Sequence, residues 1–273
     1  MSPAPVFFIS HGAPTFAIEP GVLGPQLQLL GAELTGVKAV LVVSAHWQTR
    51  GVQVMTTSAP KTVHDFGGFP PELYQLQYPA LGAPNFAADA ARLLAAAGYE
   101  VTLDARRGLD HGAWVPLRFL LPRANLPVFQ VSMPVDLDPN GALKLGETLA
   151  PLREHGVMII GSGSLTHNLY EFRQQATQAA SYALDFSGWI RHAVLRRDND
   201  ALTGYRTLAP HAARAHPTEE HYLPLLVATG AVRAPDTVEA IEGGITHGVL
   251  SMDSFVWGIP KAAPDSTRLE SGT

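Results

Sequence analysis

VFFISH (residues 6–11) and VLVVSAH (residues 40–46) each run a β-branched or aromatic stretch straight into a histidine. Such uninterrupted apolar runs read as strands buried on both faces, as in a parallel sheet. VMIIGSGSLTH (residues 157–167) repeats the pattern. Open α/β sheets bind ligands just past the carboxyl ends of their strands. If these three strands are neighbours, His11, His46 and His167 converge on one sheet edge, and neutral imidazoles meeting there make a divalent-metal site.

Strand-like and helix-like runs alternate along the rest of the chain, the signature of an α/β domain with a mostly parallel central sheet flanked by helices. Helices are expected at 25–34, 83–98, 141–154 and 179–197, and at 218–231 with Thr218 as N-cap and Glu219 and Glu220 in the first turn. Further strands are expected at 52–57, 99–103, 127–133 and 250–257. KTVHDFGGFPPELY (residues 61–74) is too rich in Gly and Pro for either element and reads as a functional loop. Residues 1–260 are read as one catalytic domain, and 261–273, rich in polar residues, as a mobile tail.

Bulk composition narrows the partner. The 273 residues include 46% hydrophobic side chains and carry a formal charge of −5, with a pI near 6.1 and mean hydropathy of +0.08. Lys and Arg never cluster beyond pairs, so neither nucleic acid nor an anionic membrane is indicated, and the expected partner is a small molecule. Cysteine is absent, which excludes thiolate catalysis and thiolate metal sites and leaves imidazole and oxygen ligands. The N-terminal stretch lacks a basic region and a long apolar core, which points to a cytoplasmic protein. The serines of GSGSLTH lack the flanking glycines of a nucleophile elbow, and the glycines miss the spacings of dinucleotide and P-loop fingerprints.

Six motifs in order carry a resemblance: ISHGAPTFA (9–17), VVSAHW (42–47), HDFGGFP (64–70), LDHGAW (109–114), GSGSLTHNL (161–169) and PTEEHYLPLL (217–226). Together, from about Phe8 to Trp257, they resemble the LigB-type class III extradiol ring-cleavage dioxygenases, in their 4,5-DOPA dioxygenase-like branch. The resemblance implies a non-haem Fe(II) centre held by His11, His46 and His221, with Zn(II) able to occupy it in purified protein. It also implies His167 as acid/base, and O2 and a single-ring catechol such as DOPA, caffeate or protocatechuate as substrates.

The chemistry suits these residue types. Three protein ligands on one face leave positions open for catecholate and O2, and a histidine with a pKa near neutrality can take and return a proton. Adjacent residues on a helix project about 100° apart, so only one of Glu220 and His221 is expected to ligate, and His221 is favoured. His111 is read as a pocket residue in a Gly-flanked loop that hydrogen-bonds substrate or O2. His64, Trp47, Phe69 and Tyr222 are read as substrate-binding. Phe16, Phe66 and Trp114 lie beside the same motifs, and at least half of these aromatics are expected to be ordinary core. His155, His192, His211, His216 and His247 are read as surface or helix-end residues, with Thr246–Gly248 near the site. Two other functions stay open on the residues alone: a zinc-dependent hydrolase or lyase on the same histidines, and a non-catalytic binding protein of this fold.

Overall fold

In the computed structural model, residues 2–176 and 178–259 are described; the tail expected at 261–273 lies outside the described residues. Six strands form the central sheet: β1 (Val6–Ser10), β2 (Ala39–Ser44), β3 (Val128–Gln130), β4 (Val157–Gly163), β5 (Val238–Ile241) and β6 (Ser254–Trp257). Their order is β3-β2-β4-β1-β6-β5. The first four run parallel, and β6 and β5 close the sheet antiparallel. Every residue of β1, β2 and β4 is buried, as their unbroken apolar runs require.

Register decides where the histidines go. Ser10 pairs with Gly163 and Ser44 with Ser162, so three adjacent parallel strands end level. His11, His46 and His167 therefore leave from one edge, as the sequence leads one to expect. The strand pair 52–55 and 101–104 lies outside this sheet, as a two-stranded parallel ribbon.

The remaining architecture is a layer of helices on each face. Labelled helices are α1 (Leu23–Glu33), α2 (Pro84–Ala96), α3 (His111–Leu120), α4 (Pro139–Leu149), α5 (Ser181–Leu195) and α6 (Leu223–Gly230). Successive side chains of a strand face opposite ways, and the GSG of β4 uses both directions. A Cβ on Gly161 would stand 2.0 Å from the Pro224 carbonyl oxygen, and one on Gly163 2.2 Å from that of His221. Only glycine lets α6 approach so closely. Ser162, between them, faces α3, where its hydroxyl donates to the Gly112 carbonyl. Helix α4 packs on α6, and α1 on α3.

Two local expectations are corrected. The helix expected from Thr218 begins only at Leu223, which puts Pro224 in the first helical turn, where its missing amide hydrogen costs no intrahelical bond. Glu219, Glu220 and His221 thus lie in the turn before α6, and the helix dipole is not what holds the acids. His111 is not in a loop: it opens α3, with Asp110 as N-cap accepting from the Ala113 amide at 3.2 Å. Among the described residues no helix is long and apolar enough to cross a membrane.

Candidate active site

At the level strand ends, His11 Nε2 lies 3.0 Å from His46 Nε2, which lies 3.3 Å from His221 Nε2. The Nδ1 atoms of His11 and His221 are committed elsewhere. His11 Nδ1 lies 3.0 Å from Ser162 Oγ, and since that hydroxyl spends its proton on Gly112, it accepts from the imidazole. His221 Nδ1 lies 3.0 Å from Glu220 Oε1, so it too carries its hydrogen away from the centre. His46 turns Nδ1 toward Asp65 Oδ2, 3.8 Å away.

Three Nε2 atoms thus face one point, with the protons of His11 and His221 turned away from it. Lone pairs at hydrogen-bond distance with no proton between them repel, and a cation resolves the conflict. Two nitrogens each about 2.1 Å from one ion, at about 90–109°, stand roughly 3.0–3.4 Å apart, which matches both separations. All three nitrogens lie within 4.8 Å of one another. Burial first, then neighbouring imidazoles, holds His11 and His221 well below the ordinary histidine pKa. Burial, reinforced by His111, lowers His46 to about 4. The trio is neutral at physiological pH, the form that ligates metals.

Helix α3 supports this centre through a sequence detail. Pro116 sits inside it and cannot donate to the carbonyl four residues back, that of Gly112. The Ser162 hydroxyl fills that vacancy and so presents its lone pair to His11.

The centre forms the floor of a cavity of about 530 Å³, walled by Pro14, Phe66, Phe69, Leu169, Phe172 and Leu250, with His111, His167 and Glu220 completing its polar end. His167 stacks flat on His221, ring centroids 3.5 Å apart at 8°. Burial lowers its pKa to about 4, against the opposing pull of Glu220, and so below the near-neutral value expected of an acid/base histidine. His111 places Nδ1 3.0 Å from Asp65 Oδ1 and its ring 3.9 Å from that of His46.

The structure brings His11, His46, His111, His167, His221 and Phe69 together at the cavity, but not every expected residue. His64 stands behind the wall, hydrogen-bonded to the Leu76 carbonyl and edge-on to Phe66 and Trp114. Trp47 is buried beneath the Arg107 guanidinium, 4.8 Å from its ring. Tyr222 is buried against Tyr205, its hydroxyl on the Leu202 carbonyl. None of these three lines the cavity. His216, read as surface or helix-end, is fully buried, with Nε2 on the Leu165 carbonyl and Phe186 and Tyr222 around it. His247 stacks on the cavity residue Phe172 at 4.5 Å.

Sequence reasoning missed Asp65, Asp110 and Ser162. Asp65 binds both the backbone and the ring of His111. Asp110 accepts from Ser44, Arg107 and Gln130 while capping α3. An Asp directly before His-Gly-Ala is an N-cap signal that was there to be read; the roles of Asp65 and Ser162 depend on long-range contacts and have no local signature.

The model of the family described as the catalytic LigB subunit of aromatic ring-opening dioxygenase matches residues 27–249. A 4,5-DOPA dioxygenase extradiol of Beta vulgaris is 40% identical, over 91% of this chain and 94% of its own. One of Escherichia coli K12 is 35% identical, over 93% and 94%. The crystal structure of the uncharacterized protein JW3007 of E. coli K12 superposes with a TM-score of 0.78 at 30% identity, covering 93% of this chain and 99% of that one.

Proposed function

The chain belongs to the LigB family of aromatic ring-opening dioxygenases, and on that premise we propose that it opens a single-ring catechol beside its hydroxyl pair, using O2 and Fe(II) held by His11, His46 and His221. The observation that carries this reading is the convergence of three Nε2 atoms at the floor of an aromatic-walled cavity. Bound Fe(II) supplies Lewis acidity toward the catechol hydroxyls and the redox capacity that O2 insertion demands.

The chain's own residues do the rest. Phe66 and Phe69 flank the flat ring and exclude water from it. His167, neutral and open to the cavity, takes a proton from a catechol hydroxyl and returns it as the ring opens. His111, at the polar end of the cavity, is placed to hydrogen-bond substrate or O2. Glu220 serves as the partner of His221 rather than as a ligand, since its carboxylate is engaged by Nδ1.

The test is anaerobic loading with Fe(II) or Zn(II), then O2 uptake and yellow semialdehyde formation on DOPA, caffeate and protocatechuate. Turnover is expected with Fe(II) alone, although Zn(II) binds such nitrogen sites more tightly. His11→Ala and His46→Ala should lose both metal and ring cleavage. Undiminished turnover by either variant overturns the assignment.

A further inference from the structure

The cavity is divided. One end holds the histidines and Glu220; the other wall is Pro14, Phe66, Phe69, Leu169, Phe172 and Leu250. Among the described residues that line it, none is Lys or Arg. Two arginines outside the lining are committed to acids. Arg214 is bound through two nitrogens to Glu171 at 2.7 and 2.8 Å, and Arg107 is bound to Asp110 and covers Trp47. Arg173, next in sequence to the cavity residue Phe172, is exposed.

We infer that this cavity selects catechols whose ring carries an uncharged substituent and discriminates against a carboxylate attached directly to the ring. The inference rests on the catechol reading above. With the hydroxyl edge at the Nε2 floor, the opposite edge of the ring must lie against the apolar wall. A carboxylate there loses hydration against the apolar side chains and gains no cation, and Glu220 adds a like charge at the other end of the cavity. A charge at the end of a flexible tether escapes this penalty, because it can stay hydrated beyond the apolar wall. DOPA therefore remains compatible with the site, whereas protocatechuate does not.

Two measurements test this. The Zn(II)-loaded protein cannot use O2, so calorimetric titration under nitrogen reads binding alone; the Fe(II)-loaded protein gives kcat/KM by O2 uptake. The probes are 4-ethylcatechol, dopamine, DOPA and protocatechuate. Protocatechuate is expected to bind and turn over at least ~10-fold more weakly than 4-ethylcatechol, the consequence of an unpaired charge in an apolar site, with DOPA between them. Protocatechuate equal to 4-ethylcatechol in both measurements overturns the inference and leaves the dioxygenase reading intact. No O2 uptake with any probe overturns both.

Leu169→Arg supplies the missing cation at a position 60% exposed, where a longer side chain has room. The ratio of protocatechuate to 4-ethylcatechol should rise about 10-fold or more within that one protein. An unchanged ratio counts against the apolar wall as the source of selectivity.

Discussion

Asp65 and His111 meet twice through a single oxygen: Asp65 Oδ1 accepts from the His111 backbone amide at 2.8 Å and stands 3.0 Å from its Nδ1. Burial alone would raise the Asp65 pKa, but the contacts with His111 outweigh it and hold the carboxyl at about 2. The carboxylate stays ionised throughout the working range and anchors the first residue of α3 through the backbone amide.

Asp65→Asn keeps the shape and removes that charge. The expected result is a fall in kcat of ~10–100-fold, the usual weight of such an outer partner, with metal content unchanged. Steady-state kinetics alongside metal analysis would check it; unaltered kcat would remove the Asp65–His111 pair from turnover.

Ser162→Ala tests the relay from Pro116 through Gly112 to His11. The variant leaves His11 Nδ1 and the Gly112 carbonyl without their partner, a loss of about 1–3 kcal/mol for buried groups. It also frees the His11 ring to rotate or change tautomer. Metal affinity should fall about 10-fold or more, read by competition with a chelator. Wild-type affinity in this variant would show that the hydroxyl does not orient His11.

Much of this is legible in the sequence. The runs ending in His11, His46 and His167 give three buried parallel strands, and level register then follows from adjacency. His221 was legible through its motif, but its setting was not. The acids of Thr218–His221 mimic a helix start, and Pro224 weighs against them by position alone. The aromatics divided by side: Phe66 and Phe69 reach the cavity, while Trp47 and Tyr222 turn into the core. Nothing local distinguishes the two, because the choice is made by what packs behind each ring. Asp65 was hidden for the same reason. Its partner lies 46 residues away.

The far end of the fold depends on an ion pair. Arg153 binds Asp236 through two nitrogens at 2.7 and 2.9 Å and reaches the carbonyls of Ala4 and Ala231. It thereby joins the lead into β1 to the end of α6. Asp236→Asn strands a buried guanidinium and should cost about 3–5 kcal/mol. Burial raises the Asp236 pKa, but Arg153 and the Arg233 amide hold it below the usual carboxylate value. A depressed carboxyl contributes stability above its unfolded pKa of about 3.9, and that stability is lost as pH falls through the folded value. Urea midpoints at pH 7 and pH 3 should therefore converge between wild type and variant at the lower pH. A constant difference would contradict the linkage.

His167 distinguishes ligand from base. It follows a strand as His11 and His46 do, yet its ring lies flat on that of His221 rather than pointing at the shared focus. Its nitrogen groups with Glu220 and His221, outside the trio of His11, His46 and His221. A fourth fixed imidazole would also occupy a position that catecholate or O2 requires. His167→Ala should thus bind Fe(II) within about 3-fold of wild type while turnover drops on the order of 10²-fold, the ordinary weight of a positioned acid/base group. The two readouts separate the roles on one variant: loss of iron would make His167 a ligand, and full activity with iron bound would remove it from the proton path.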